Sequence, residues 1–218
     1  LGAAAFHADA IPENRWVKAS KEFMRGKHKM FLRTIFVLLS IGGATLAADD
    51  DVGRTLFTFK NVEAAKQWQT VNDGVMGGRS DGQFKITEDK TMQFFGMLSL
   101  ENNGGFASVR TRPTKLELKQ GDTLVARMRG DGRKYNFNLY VPRQLTAFSY
   151  RADFETKKDE WIEVELPLDR FVATSFGRVV QNQPLDPAEV NGIGILLGDK
   201  KPGLFRLEVE WIRVRQAE

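Results

Sequence analysis

The chain has 218 residues, enough for one sizeable domain, and carries a formal net charge of +4. Residues 1–48 hold seven Lys/Arg and three Asp/Glu of the 32 and 28 in all, so the remaining 25 of each cancel, and the uniform basic footprint of a nucleic-acid binder is absent. Cysteine is absent and both histidines, His7 and His28, lie within residues 1–48, which excludes disulfides, Ser-His-Asp and Cys-His nucleophiles and the usual zinc and copper sites from the rest.

Near the start, Arg25, Lys27, Lys29 and Arg33 precede the apolar run Ile35-Phe-Val-Leu-Leu-Ser-Ile-Gly-Gly-Ala44 and the small residues Thr45-Leu-Ala-Ala48. This order predicts a signal peptide over 30–48, cleaved after Ala47 or Ala48, and a secreted or periplasmic mature protein. The run is shorter than the roughly 20 residues needed to cross a bilayer, so no stable membrane span is expected after cleavage. Met24 and Met30 sit where such a peptide would begin, and residues 1–29 read as a non-native extension or as disorder. Asp49–Asp51 reads as a solvated acidic run rather than a calcium site, and no metal or cofactor is expected.

From residue 52 to 216 a single domain is expected. Val62–Gln67 and Pro187–Val190 are its only helical segments. The stretch Val71–Gly82, VNDGVMGGRSDG, is rich in turn residues. It lacks the Lys-Ser/Thr ending of a phosphate loop and no helix follows it, so it reads as a tight connection, with Asp81-Gly82 a hairpin turn. Strands follow at Gln83–Thr87, Met92–Leu100, Phe106–Arg110 and Thr123–Arg129. Arg129-Gly-Asp-Gly-Arg133 predicts a hairpin that sets 123–129 beside 135–141. Period-two alternation is clearest in Tyr135–Val141, where Tyr135, Phe137, Leu139 and Val141 oppose Asn136, Asn138 and Tyr140. It recurs in Phe148–Glu155 and Trp161–Leu168, then in Gly192–Leu197 and Phe205–Trp211, with Phe205, Leu207, Val209 and Trp211 on one face. Many short antiparallel strands without long helices predict an all-β fold, a single antiparallel β-sandwich or jelly roll.

If strands 123–129, 135–141 and 148–155 form a meander, one face gathers Arg127 or Arg129 with Asn136, Asn138, Tyr140, Ser149, Arg151 and Asp153. Amides, a ring and charges on one sheet suit a glycan. Trp161 reads as exposed, and Trp68, Phe95 and Phe106 as core. The Arg-Gly-Asp tripeptide at 129–131 is explained by its turn alone. Asp73, Glu101, Asp131 and Asp153 could serve glycoside hydrolysis, but no spacing singles out a pair, and no catalytic residue is assigned.

The motif Trp68-x-x-Val-Asn-Asp-Gly-Val-Met-Gly-Gly-x-Ser80, followed by Phe95-Gly-x-Leu-Ser-Leu-Glu-Asn-Asn-Gly-Gly-Phe-Ala-Ser-Val-Arg110, resembles the complex I intermediate-associated protein 30 family. Arg129-Gly-Asp-Gly-x-x-Tyr135 fits the same pattern. The resemblance implies a galactose-binding-like sandwich. It also implies a non-catalytic, chaperone-like role in assembling respiratory complex I, with complex I subunits as partners. The alternative is a carbohydrate-binding module of the cell envelope. Asn72, Asp73, Arg79 and Ser80 fall in the first motif, and Glu101, Asn102, Asn103 and Arg110 in the second. They join Asn136, Asn138, Tyr140 and Arg151 as candidate ligand- or partner-binding residues, with Asn72 and Asp73 suspected of serving the loop itself.

Overall fold

A computed structural model describes residues 53–142 and 147–217. The leader expected over 1–48 and the acidic run Asp49–Asp51 lie outside the described residues. In chain order the strands are β1 (Arg54–Thr58), β2 (Trp68–Thr70), β3 (Asp81–Ile86), β4 (Met92–Leu98), β5 (Ala107–Thr111), β6 (Thr123–Arg129) and β7 (Lys134–Tyr140). They continue with β8 (Phe148–Glu155), β9 (Trp161–Pro167), β10 (Val172–Ser175), β11 (Arg178–Val179), β12 (Gly192–Leu197) and β13 (Gly203–Arg215). One antiparallel sheet runs β3-β4-β13-β6-β9, with β1 also on β13. The other runs β11-β10-β8-β7-β12-β5-β2.

Alternation builds the core, as expected. The inward residues of β7 and β12, Tyr135, Phe137, Leu139, Ile193, Ile195 and Leu197, are buried in one cluster with Phe94, Leu124, Met128, Leu166, Leu207 and Val209 of the other sheet. Burial at about 25 cal/mol per Å² of apolar surface makes these alternating strands the main source of stability. The helical segments are short 3₁₀ turns. Val62–Gln67 is capped by Asn61, whose side chain accepts from Ala64 N at 3.3 Å.

Three local expectations are corrected. The segment 129–133 is no hairpin: β6 pairs with β13 and β9, and β7 with β12 and β8, so the chain crosses from one sheet to the other there. Asp131 fixes this corner by accepting from Arg133 N at 3.1 Å, Arg206 N at 2.9 Å and the Tyr135 hydroxyl at 3.1 Å. Trp211 does not share the inward face of Phe205, Leu207 and Val209. A bulge at Glu210 shifts the register against β6, so Ile212 and Val214 point inward and Trp211 lies half-buried outside, with Arg213 4.0 Å from its ring. Asp81-Gly82 is strand, not turn, paired with Met97 and Gly96.

Losing β6 from the β7–β8 sheet also moves Arg127 and Arg129. They sit on the outer face of the opposite sheet, where both cover the half-buried Trp161, at 5.6 and 4.9 Å from its ring. Arg129 pairs there with the buried Glu208 at 2.6 Å.

Candidate functional site

The outer face of the β7–β8 sheet is shaped by two glycines. Gly192 and Gly194 occupy outward positions on β12, between β7 and β5. A Cβ on Gly194 would lie 3.1 Å from Arg110 Cγ, 3.1 Å from Tyr140 Cε2 and 2.8 Å from Val109 O. Without it, side chains from β5 and β7 meet over β12, and the Arg110 guanidinium lies 4.9 Å from the Tyr140 ring centroid.

Hydrogen bonds order this row. Asn138 is only 1% exposed; its Nδ2 donates to the Tyr140 hydroxyl oxygen at 3.3 Å and its Oδ1 accepts from Arg151 Nε at 3.2 Å. Arg110 Nε donates to Ser108 Oγ at 3.1 Å, and Ser108 Oγ donates in turn to Val71 O at 2.5 Å. Burial raises the Tyr140 pKa, with Arg110 and Asn138 opposing, so the phenol keeps its proton at neutral pH. Burial lowers that of Arg151, and Arg110 adds to the effect while Tyr140 and Asp153 oppose it. An arginine remains charged nonetheless.

The loops beside this face are held by one carboxylate. Asp73 is 0% exposed. Its Oδ1 accepts from Ser80 N at 2.8 Å, and its Oδ2 accepts from Ser80 Oγ at 2.5 Å, Gly105 N at 2.6 Å and Phe106 N at 3.2 Å. Burial alone would raise its pKa. The bonds from Ser80, Gly105 and Phe106 outweigh this and hold it below the ordinary value of 3.8. Asn72 Nδ2 adds a bond to Gly82 O at 2.9 Å. The 3₁₀ turn Asp73–Met76 ends at Gly77, which adopts φ 87°.

Together these parts enclose a cleft of about 610 Å³. Arg110, Asn138, Tyr140 and Arg151 lie in its lining, with Val75 and Met76 from the first loop and Phe106 from the second. Phe176, in the turn between β10 and β11, adds a ring that is 59% exposed. No Asp or Glu is among the described residues that line it.

Of the residues singled out from the sequence, Arg110, Asn138, Tyr140 and Arg151 are thus brought together. Asn136 shares their sheet face but donates to Asp153 and borders a neighbouring depression. Asn72, Asp73 and Ser80 brace loops. Arg79 and Glu101 form an exposed ion pair at 2.8 Å, of the kind that contributes at most about 1 kcal/mol. Asn102 and Asn103 are exposed with φ of 54° and 59°, a conformation asparagine tolerates. None of these eight lines the cleft. Conversely, Val75, Met76 and Phe176 do, and so does Phe106, which is half-buried rather than core. Apolar residues inside glycine turns were the readable sign of them.

Residues 57–209 match the protein family described as complex I intermediate-associated protein 30. The mitochondrial protein of that name from Mus musculus is 28% identical over 183 residues, 74% of this chain and 56% of the mouse protein. Its namesake in Drosophila melanogaster is 24% identical over 180 residues, 72% of this chain and 61% of the fly protein. The chain therefore spans somewhat more than half the length of these relatives. Among solved structures, a family 11 carbohydrate-binding module from a cellulosomal cellulase of Clostridium thermocellum is similar, with a TM-score of 0.55 at 12% identity over 76% of this chain and 96% of the module. A family 11 module from the same organism, solved with a β-1,3-1,4-mixed-linked tetrasaccharide, gives 0.53 at 12% identity over 73% and 93%. At that identity the likeness is one of fold. The relatives' mitochondrial names contradict the secreted or periplasmic location expected from the leader. A charged, apolar and small-residue order is a short, degenerate signal, and it misled here. Matched over most of its length, the chain belongs to the complex I intermediate-associated protein 30 family.

Proposed function

We propose that the sandwich is a non-catalytic binding module that engages subunits or assembly intermediates of respiratory complex I through the cleft beside Tyr140. The observation that carries this reading is convergence: both family-marking segments supply lining, Val75 and Met76 from the first and Phe106 and Arg110 from the second. The relatives' names supply the partner. The carboxylates that could have served hydrolysis are each committed elsewhere: Asp73 to its loops, Glu101 to Arg79, Asp131 to the corner and Asp153 to Lys134.

Affinity capture from detergent-solubilised respiratory membranes tests the reading. The tagged full chain is expected to retain complex I subunits, and a Val75→Asp/Phe176→Asp variant to lose most of them without a fall in melting temperature, since both side chains are exposed. Absence of complex I subunits, or equal capture by the variant, would overturn it.

Glycan binding in the same cleft is a second reading, favoured by a lining that includes both the exposed Phe176 ring and the Asn138 amide. It is weakened at Tyr140, where Arg110 already covers the ring on which a sugar would stack. A glycan array with mixed-linked glucans separates the two, and binding there without complex I capture would favour the sugar.

A further inference from the structure

We infer, resting on the reading above, that the cleft floor is a carboxylate receptor. The segment it takes from its partner is peptide in which an Asp or Glu side chain is flanked by apolar residues.

The floor is left with more donors than acceptors to offer. Arg151 uses Nε on Asn138 Oδ1, and Asn138 uses Nδ2 on the Tyr140 oxygen. Arg110 uses Nε on Ser108, whose own proton goes to Val71 O. Each side-chain acceptor among them already takes one internal bond. What remains is mainly donors: the terminal Nη groups of two guanidiniums and the Tyr140 hydroxyl proton, none with a protein acceptor among the described residues, and the second Asn138 Nδ2 hydrogen. The neighbouring carboxylate, Asp153, is held by Lys134 at 2.7 Å and by Asn136. Arg110 lies close enough to Arg151 to disfavour its charge, which Asp153 favours from a distance, and neither arginine forms an ion pair among the described residues.

Two half-buried like charges and a free phenolic donor are a costly arrangement for a surface with nothing to bind. They are a favourable one for an anion, because guanidinium forks match a carboxylate's two oxygens. The walls choose between carriers of that anion. Val75, Met76, Phe106 and Phe176 are apolar and three of them are exposed, which suits hydrophobic side chains next to the acid. An acidic polysaccharide would bring many hydroxyl donors to a floor whose Asn138 and Tyr140 oxygens each already accept a bond.

The test presents the full chain with immobilised peptides in which Glu is set between Leu, Met or Phe, each beside a counterpart carrying Gln. Glu peptides are expected to bind at least about tenfold more tightly, with the preference shrinking as salt rises. In Arg110→Gln/Arg151→Gln the two series should bind alike; Tyr140→Phe, which deletes only the donor, should lose part of the preference. If the double variant does not fold, the contrast on the unaltered chain and on Tyr140→Phe still decides. Equal binding of Glu and Gln peptides, no binding of either, or tighter binding of oligogalacturonate would overturn the inference. Undiminished capture of complex I subunits by the folded double variant would overturn it while leaving the assembly reading intact. Failure of the unaltered chain to capture subunits would instead remove that reading.

Discussion

Asp73→Ala is expected to lower the melting temperature by on the order of 10 °C. The carboxylate is fully buried and accepts from four donors, Ser80 N, Ser80 Oγ, Gly105 N and Phe106 N. Alanine strands the three backbone donors in a site water does not reach and leaves the Ser80 hydroxyl only Ser99 O at 3.1 Å, and each unsatisfied donor costs about 1–3 kcal/mol. Partial relaxation brings the total to about 3–5 kcal/mol, a large part of the stability of a domain this size. Asp73→Asn should cost less, because one oxygen remains to accept. Amide exchange at Gly105 and Phe106 should accelerate in both. The sign of the pH effect follows from the depressed pKa. Asp73 stabilises the fold fully above the ordinary aspartate range, and the contribution disappears as pH falls through the folded value. The alanine variant should therefore be less acid-sensitive than the unaltered chain. A melting temperature within about 2 °C of the parent would contradict this account of the loops.

The second large effect lies at the corner between the sheets. Arg133 and Asp199 form a 2.6 Å ion pair whose side chains are only 13% and 6% exposed. Arg133 Nε adds a 3.0 Å bond to the same carboxylate, and its guanidinium also donates to Lys201 O and to Leu204 O. Burial would raise the Asp199 pKa, yet Arg133 and the Lys201 amide hold it low. Burial likewise opposes the charge on Arg133, and Asp199 more than restores it. Removing one partner leaves an uncompensated charge in poor solvent, so Asp199→Ala should destabilise by about 3–5 kcal/mol. Replacing both partners by apolar residues of similar size should cost far less. Denaturant unfolding of the two singles and the double measures the difference; additive losses would show that the pair is not coupled.

The fold was legible because burial imposes period two on each strand. Tyr135, Phe137 and Leu139 announce an inward face whatever their strand pairs with. Pairing itself was less legible. Asp131-Gly132 looks like hairpin chemistry, and only the reach of its carboxylate to Arg206, 75 residues away, turns the segment into a crossing between sheets. A bulge is similarly silent in sequence, and Glu210 shifts Trp211 to the other face without breaking the alternation of residue types. Within the site, Asn138, Tyr140 and Arg151 were readable from outward positions on neighbouring strands. Their meeting with Arg110 depends on the blank left by Gly194, a contact between strands far apart in the chain. Of the other motif residues, Asn72, Asp73 and Ser80 brace the loops and Arg79, Glu101, Asn102 and Asn103 are exposed away from the cleft, because a polar residue in a loop serves loop geometry as readily as a ligand, and Asp73 is the clearest case.

The central claim is that the face bearing Tyr140, and not the opposite sheet, meets the partner. Site-directed photo-crosslinking tests it most directly, with a photoreactive phenylalanine at Phe176 on the cleft rim or at Trp211 on the far sheet. The account predicts crosslinks from position 176 to complex I subunits and few from position 211. Crosslinks from 211 with none from 176 would contradict it.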